Sequence, residues 1–224
     1  MDSLFFIINP VAGGGRAKKM VPIIERYMKD INREYSIALT TGPKEATNIT
    51  KESIAKGYRT IVAVGGDGTV NEVALGILEF GEGSLGIIPS GTGNDLARTL
   101  NIPFNPEEAI DTIIKGNLKN IDLGIVNNKM FLNIASIGFD AEVVRNTDKI
   151  KKRIKSGIAY VFGVLVTLFK FKEIKVELNI DQVSLSKDIY LVAVGNGNYY
   201  GGGLKILPMS SVEDGYFHIC VINK

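Results

Sequence analysis

Gly65-Gly66-Asp67-Gly68-Thr69-Val70-Asn71-Glu72 follows the apolar run Ile61-Val62-Ala63-Val64 and precedes a segment compatible with a helix. The order reads as strand, glycine turn and helix start. Glycines at 65, 66 and 68 let the backbone approach a bulky anion closely, and the following helix offers unpaired N–H groups at its positive end. Asp67, Thr69, Asn71 and Glu72 crowd into the same short stretch, more polar side chains than a structural turn needs. The stretch is therefore read as a phosphate-binding loop rather than as an ordinary tight turn.

Working outward, the same unit recurs. Leu4 to Ile8 is a strand-like run that ends in Asn9-Pro10-Val11-Ala12-Gly13-Gly14-Gly15, and Ala17 to Tyr27 carries apolar residues at helical spacing. Tyr35 to Thr40 reads as a second strand, Glu45 to Lys56 as a helix closed by Gly57, and Thr60 to Val64 as a third strand. Val70 to Leu78 is the next helix and Ser84 to Ile88 a fourth strand. Pro89-Ser90-Gly91-Thr92-Gly93-Asn94-Asp95 then forms another glycine-rich loop before helices around 96–100 and 106–115. Alternation of this kind predicts a parallel sheet covered by helices, with a ligand crevice outside the carboxyl ends of its strands. Three polar glycine loops, at 9–15, 65–72 and 89–95, all follow strands, so they should meet at one edge of that sheet.

After Asp122 the pattern changes to short runs bounded by Gly, Asn and Asp: 129–135, 174–180, 189–194 and 216–222, read as mainly β. The expected organisation is an α/β nucleotide-binding domain over 1–122 and a mainly β domain over 123–224, with a helical insert near 147–171. The insert has a basic first half (Lys149, Lys151, Lys152, Arg153, Lys155) and an apolar second half too short for the roughly 20 residues that span a bilayer. It reads either as a core helix with a charged lead-in or as a surface drawn to anionic lipid headgroups.

Composition narrows the chemistry. The 224 residues, 45% of them hydrophobic with 25 Gly and 7 Pro, suit a packed α/β or mixed protein. A formal charge of +2 and the lack of a zinc spacing or reader motif argue against nucleic acid as a partner. The single cysteine, Cys220, lies in an apolar run and has no partner in the chain for a disulfide; with no secretory signal at Met1-Asp2-Ser3, a cytoplasmic location is expected. No Gly-x-x-x-x-Gly-Lys-Ser/Thr loop occurs, and Asn71 stands where Gly-x-Gly-x-x-Gly requires its last glycine. The near miss from Gly195 to Gly201 is read as a hairpin or bend in the β domain. One histidine, His218, in a predicted strand removes the central component of serine-triad, cysteine-histidine and multi-histidine metal chemistry. Phosphoryl transfer needs none, since it works by positioning and neutralisation of phosphate charge.

The segments NPVAGGG, GGDGTVNEV and PSGTGNDLAR, in this order and spacing, resemble the bacterial diacylglycerol kinase family of lipid kinases, which is related to sphingosine kinases and more distantly to NAD kinases. GGDGT is the less specific part, being shared with NAD kinases, whereas PSGTGND points to the lipid kinase branch. The resemblance implies an N-terminal α/β nucleotide-binding lobe and a C-terminal β-sandwich lobe, ATP and Mg2+ as cofactors, and transfer of the γ-phosphate to a hydroxyl of a lipid such as diacylglycerol. Matched by position, it implies nucleotide contacts at Asn9, Gly13, Thr40, Gly66, Asp67, Gly68, Thr69, Asn71, Glu72 and Thr92. Asp67 is implied to organise Mg-ATP. Asp95 either assists there or only caps a helix, and Asp122 is either a turn residue or part of the same acidic network. Within the segment 208–217, the resemblance implies a magnesium site with the Asp214 carboxylate and main-chain oxygens of Ser211 and Tyr216; without it, Glu213-Asp214-Gly215 is simply a good β-turn.

Members of the family continue past the equivalent of Lys224 into a DGE segment that resembles the source of the general base. The expectation is therefore a sandwich incomplete at its C-terminus, and a chain that is either a piece of a longer lipid kinase or a member that binds nucleotide without turnover. A positioned base contributes about 10²- to 10⁴-fold in rate. The expected partners are a lipid substrate, transiently a membrane surface at the inner face, and a second copy in a homodimer. A non-catalytic nucleotide- or lipid-binding module and an NAD kinase-like enzyme are the competing readings.

Overall fold

Apolar residues on both sides of a strand demand cover on both faces, and the first half of the chain supplies it. In a computed structural model that describes residues 3–139 and 172–223, strands β1 (Leu4–Ile8), β2 (Tyr35–Leu39), β3 (Thr60–Gly65) and β4 (Ser84–Pro89) form a parallel sheet in the order β2-β1-β3-β4. The helices are α1 (Ala12–Gly15), α2 (Val21–Asp30), α3 (Glu45–Ala55), α4 (Asp67–Phe80), α5 (Asp95–Thr99) and α6 (Pro106–Lys115). Phe6, Ile8, Val62 and Val64 point to one face, where they pack with Ile24 and Met28 of α2 and Ile110 of α6. Ile7, Ile61 and Ala63 point to the other, against Ala46 and Ile54 of α3 and Val70 and Val73 of α4. This alternation on a doubly covered parallel sheet is what the continuous apolar runs encode. Residues 17–20, which helical spacing had joined to α2, form a separate tighter turn, because Pro22 sits in the first turn of α2 and resets the chain there.

Helix α6 is closed by recognisable caps. The Asn105 side chain accepts from the N–H groups of Glu107 and Glu108, Pro106 opens the helix, and Gly116 ends it in the left-handed region. Asn105→Ala is expected to cost about 1 kcal/mol of stability, measurable as a lowered urea midpoint with an unchanged slope.

The remaining strands are β5 (Gly124–Val126), β6 (Lys129–Phe131), β7 (Ile134–Gly138), β8 (Ile174–Ile180), β9 (Val183–Gly195), β10 (Tyr199–Tyr200), β11 (Leu204–Lys205) and β12 (His218–Asn223). The chain divides into two compact units: 1–133 with 197–215, and 134–196 with 216–224. In the second unit the long strand β9 organises an antiparallel sheet. Its first half pairs with β8, and its second half lies between β7 and β12. The run 129–135 that read as one strand is two, and the apolar run 189–194 is only the buried half of β9, whose first half is exposed. The glycine-rich bend after Gly195 is present, but from Gly197 onward it packs with the first unit, not with the β sheet. The helical insert expected near 147–171 lies outside the described residues. Among the described residues, no helix is long and apolar enough to cross a membrane.

Candidate functional site

The three glycine loops leave the carboxyl ends of β1, β3 and β4, and hydrogen bonds tie each to the other two. Asn9 stands at the exit of β1, its N–H bonded to the Val64 carbonyl at 3.1 Å. Its side-chain amide donates to Thr69 Oγ at 3.3 Å and its side-chain oxygen accepts from the Val11 N–H at 3.2 Å. Thr40, buried at the end of β2, donates its N–H to the Ile8 carbonyl at 2.9 Å, so it borders the same exit. Gly13 and Gly14 are left-handed inside the short turn α1, a conformation open to glycine at little cost.

Sequence spacing places the start of the third helix at Val70, whereas α4 begins at Asp67. Gly66 takes an extended conformation as the N-cap residue, and the helix starts immediately after it. Gly68, Thr69, Asn71 and Glu72 therefore lie in the first turns of α4. Thr69 is buried, Gly68 is exposed, and Asn71 is half-buried.

The carboxylates have structural employment that the sequence did not disclose. Asp67 accepts from the Asn94 N–H at 2.8 Å with one oxygen and from the Leu96 N–H at 3.2 Å with the other, joining the second loop to the third. Glu72 turns toward α3 and accepts from the N–H groups of Lys44 at 2.9 Å and Ala46 at 3.3 Å, satisfying the orphan donors at that helix start. In the third loop, the Asn94 side chain brackets Gly91 from both ends, accepting from its N–H at 2.8 Å and donating to its carbonyl at 3.0 Å. Thr92 is exposed at the tip of this loop.

Asp95 is buried at the start of α5. One oxygen accepts from the Gly202 N–H at 2.9 Å, and the other has no hydrogen-bond partner. Burial pushes its carboxyl above the usual carboxylate range and the nearby Asp67 charge adds to the rise, while the Gly202 and Gly203 N–H groups and Arg98 oppose it. A carboxyl that holds its proton more tightly when folded stabilises fully below its ordinary value of 3.8 and loses that contribution as pH rises through the elevated folded value. Asp95→Asn is therefore expected to melt above the parent protein at pH 7, with the difference shrinking toward pH 4. Thermal unfolding in chelator across this range checks it, and a variant that melts lower at pH 7 overturns the assignment.

The expected cation loop runs across the point in the sequence where the first unit gives way to the second. Ser211 and Asp214 belong to the first unit, and Tyr216, which is exposed, begins the last segment of the second. Ser211 Oγ accepts from the Glu213 N–H at 3.3 Å, and Glu213 pairs with Lys119 at 2.8 Å. Asp122 accepts from the Gly215 N–H at 2.7 Å and donates its own N–H to the Val212 carbonyl at 2.7 Å, so it holds this turn in place. Among the described residues, no three His, Cys, Asp or Glu side chains cluster as a metal site.

The model of the diacylglycerol kinase catalytic domain matches residues 3–126, and that of the YegS C-terminal NAD kinase beta sandwich-like domain matches 133–224. The chain belongs to the diacylglycerol kinase family. It is 35% identical over 222 residues to a Pseudomonas aeruginosa protein named "Probable lipid kinase YegS-like", covering 99% of this chain and 72% of that protein. It is 34% identical over 220 residues to the diacylglycerol kinase of Bacillus subtilis, covering 97% and 73%. A crystal structure of a diacylglycerol kinase from Bacillus anthracis superposes with a TM-score of 0.75 at 31% identity, covering 99% of this chain and 74% of that one. Kinase membership makes ATP the phosphoryl donor to consider at the diacylglycerol kinase loops. The residues present fit a divalent cation beside it. Asp67 and Asp95 are close enough for one charge to raise the other, and the buried unpartnered oxygen of Asp95 is a hard acceptor of the kind Mg2+ takes.

Proposed function

We propose that the chain is an ATP-dependent lipid kinase that transfers the γ-phosphate of ATP to a hydroxyl of a lipid such as diacylglycerol. One observation carries this reading: three glycine loops at one end of a parallel sheet are cross-tied into a single rim, by Asn9 to Thr69, by Arg16 to Gly91, and by Asp67 to Asn94 and Leu96. Phosphoryl transfer is catalysed chiefly by positioning and by neutralising charge, and a rim held at three joints supplies the first. The backbone around Gly13 and Gly66 with Asn9, Thr40, Thr69, Asn71 and Thr92 would hold the nucleotide. Gly68 keeps the first turn of α4 bare, and Glu72 fixes where α3 starts beside it. Asp67 and Asp95 would hold Mg2+, which when bound neutralises phosphate charge. Ser211, Asp214 and Tyr216 are proposed for a second, structural cation.

The test is incubation with γ-labelled ATP, with and without Mg2+, and vesicles carrying diacylglycerol, sphingosine or phosphatidylglycerol. A labelled, Mg2+-dependent lipid product is expected. If every lipid stays unlabelled while ATP still binds, with the native C-terminus in place, the protein is a binding module and the kinase reading fails.

A further inference from the structure

Arg16 is a residue that neither the glycine pattern nor the motif boundaries single out. It is exposed and follows the first loop, as a solvated charge would. Yet its guanidinium donates Nε to the Gly13 carbonyl at 3.2 Å and Nη2 to the Gly91 carbonyl, 75 residues away in the third loop. The two loops touch closely at this point. A carbon added at Gly13 would come within 2.6 Å of Arg16 Nε.

The peptide bond is planar and trans, so its C=O and the N–H of the next residue point in opposite directions. Glycine peptides turn over easily because no side chain resists, and a turned peptide would aim an oxygen where a phosphate needs a donor. Holding the Gly13 carbonyl fixes the direction of the Gly14 N–H, and holding the Gly91 carbonyl fixes that of the Thr92 N–H. The Gly91 carbonyl is gripped a second time, by the Asn94 side chain. The Gly13 carbonyl is held by Arg16, whose planar fork reaches both loops at once.

We propose that Arg16 is a positioning residue that locks the Gly13–Gly14 and Gly91–Thr92 peptides with their N–H groups turned toward a bound nucleotide phosphate. This inference rests on the nucleotide reading of the loops. It is a role of geometry rather than of charge, and lysine separates the two: an ammonium keeps the charge but cannot grip two carbonyls as a fork.

The experiment is calorimetric titration of ATP into the parent protein, Arg16→Ala and Arg16→Lys, with melting temperatures alongside. Loss of one charge-assisted joint predicts a dissociation constant raised about tenfold or more in both variants, with little change in melting because Arg16 is exposed. Lysine restoring parental affinity overturns the proposal, since charge would then suffice. Alanine binding as tightly as the parent overturns it as well. A parent protein that binds no ATP overturns the nucleotide reading and this inference with it. Should Arg16→Ala not fold, Arg16→Lys against the parent decides alone.

Discussion

Asp67→Ala is expected to abolish measurable ATP binding and to lower the free energy of unfolding by about 2–4 kcal/mol, the cost of stranding two charge-assisted hydrogen bonds discounted for partial exposure. The donors are the N–H groups of Asn94 and Leu96, at the start of α5 and 27 and 29 residues from their acceptor. Without the carboxylate, Asn94 keeps its left-handed backbone with less to hold it, and its two bonds to Gly91 loosen with it. The second and third loops then part. Asp67→Asn separates the contributions, because the amide retains one acceptor and presents a donor where the other was. It should recover part of the stability and little of the binding. Urea unfolding and calorimetric titration check both. An unchanged urea midpoint in Asp67→Ala removes the joint from the account, and unchanged ATP affinity removes the nucleotide reading of Asp67.

Gly91→Ala is expected to be nearly as damaging for a different reason. Its added carbon would lie 2.9 Å from the backbone nitrogen of Gly66 and 2.9 Å from the side-chain oxygen of Asn94. A flexible side chain could withdraw from such contact, but the backbone of the second loop cannot. The loops must separate, at a cost of about 1–3 kcal/mol of overpacking, with ATP affinity falling in step as the rim opens. Gly68→Ala is the control with the opposite sign. Nothing lies within 4 Å of a carbon added there, and the position is inside α4. Helix propensity predicts a gain of about 0.5–1 kcal/mol, while a methyl group on the bare first turn should weaken ATP binding. Melting curves that rank Gly68→Ala above the parent and Gly91→Ala below it bear this out, and the reverse order refutes it.

The residues that announced the fold were those whose information is local. The strands at 4–8, 35–39, 60–65 and 84–89 were legible because apolar runs of that length between glycine turns have few other uses, and the loops because each follows its strand directly. The joints between loops were not legible. Asp67 reaches 27 residues, Glu72 reaches 28 and Arg16 reaches 75, and no periodicity records a hydrogen bond across such separations. Glu72 is the clearest instance. Its place in the polar cluster suggested a nucleotide contact, whereas its carboxylate is spent on the start of α3. Only Asp95 carried a usable signal, because an acid beside a predicted helix start is either a cap or a site residue. Its carboxylate accepts from Gly202, far outside α5, and leaves one oxygen unpartnered.

The return of residues 197–215 to the first unit sets an order of events on the ribosome. That unit cannot close when its sheet is complete, because Asn198 must reach Thr99, and Gly202 must reach Asp95, from the far side of the second unit's sequence. At bacterial and eukaryotic synthesis rates the intervening residues 134–196 take about 3–13 s to emerge. During that interval the start of α5 waits with Asp95 lacking its Gly202 partner. The nucleotide rim is therefore among the last parts of the first unit to mature, although its three signature segments are all translated early.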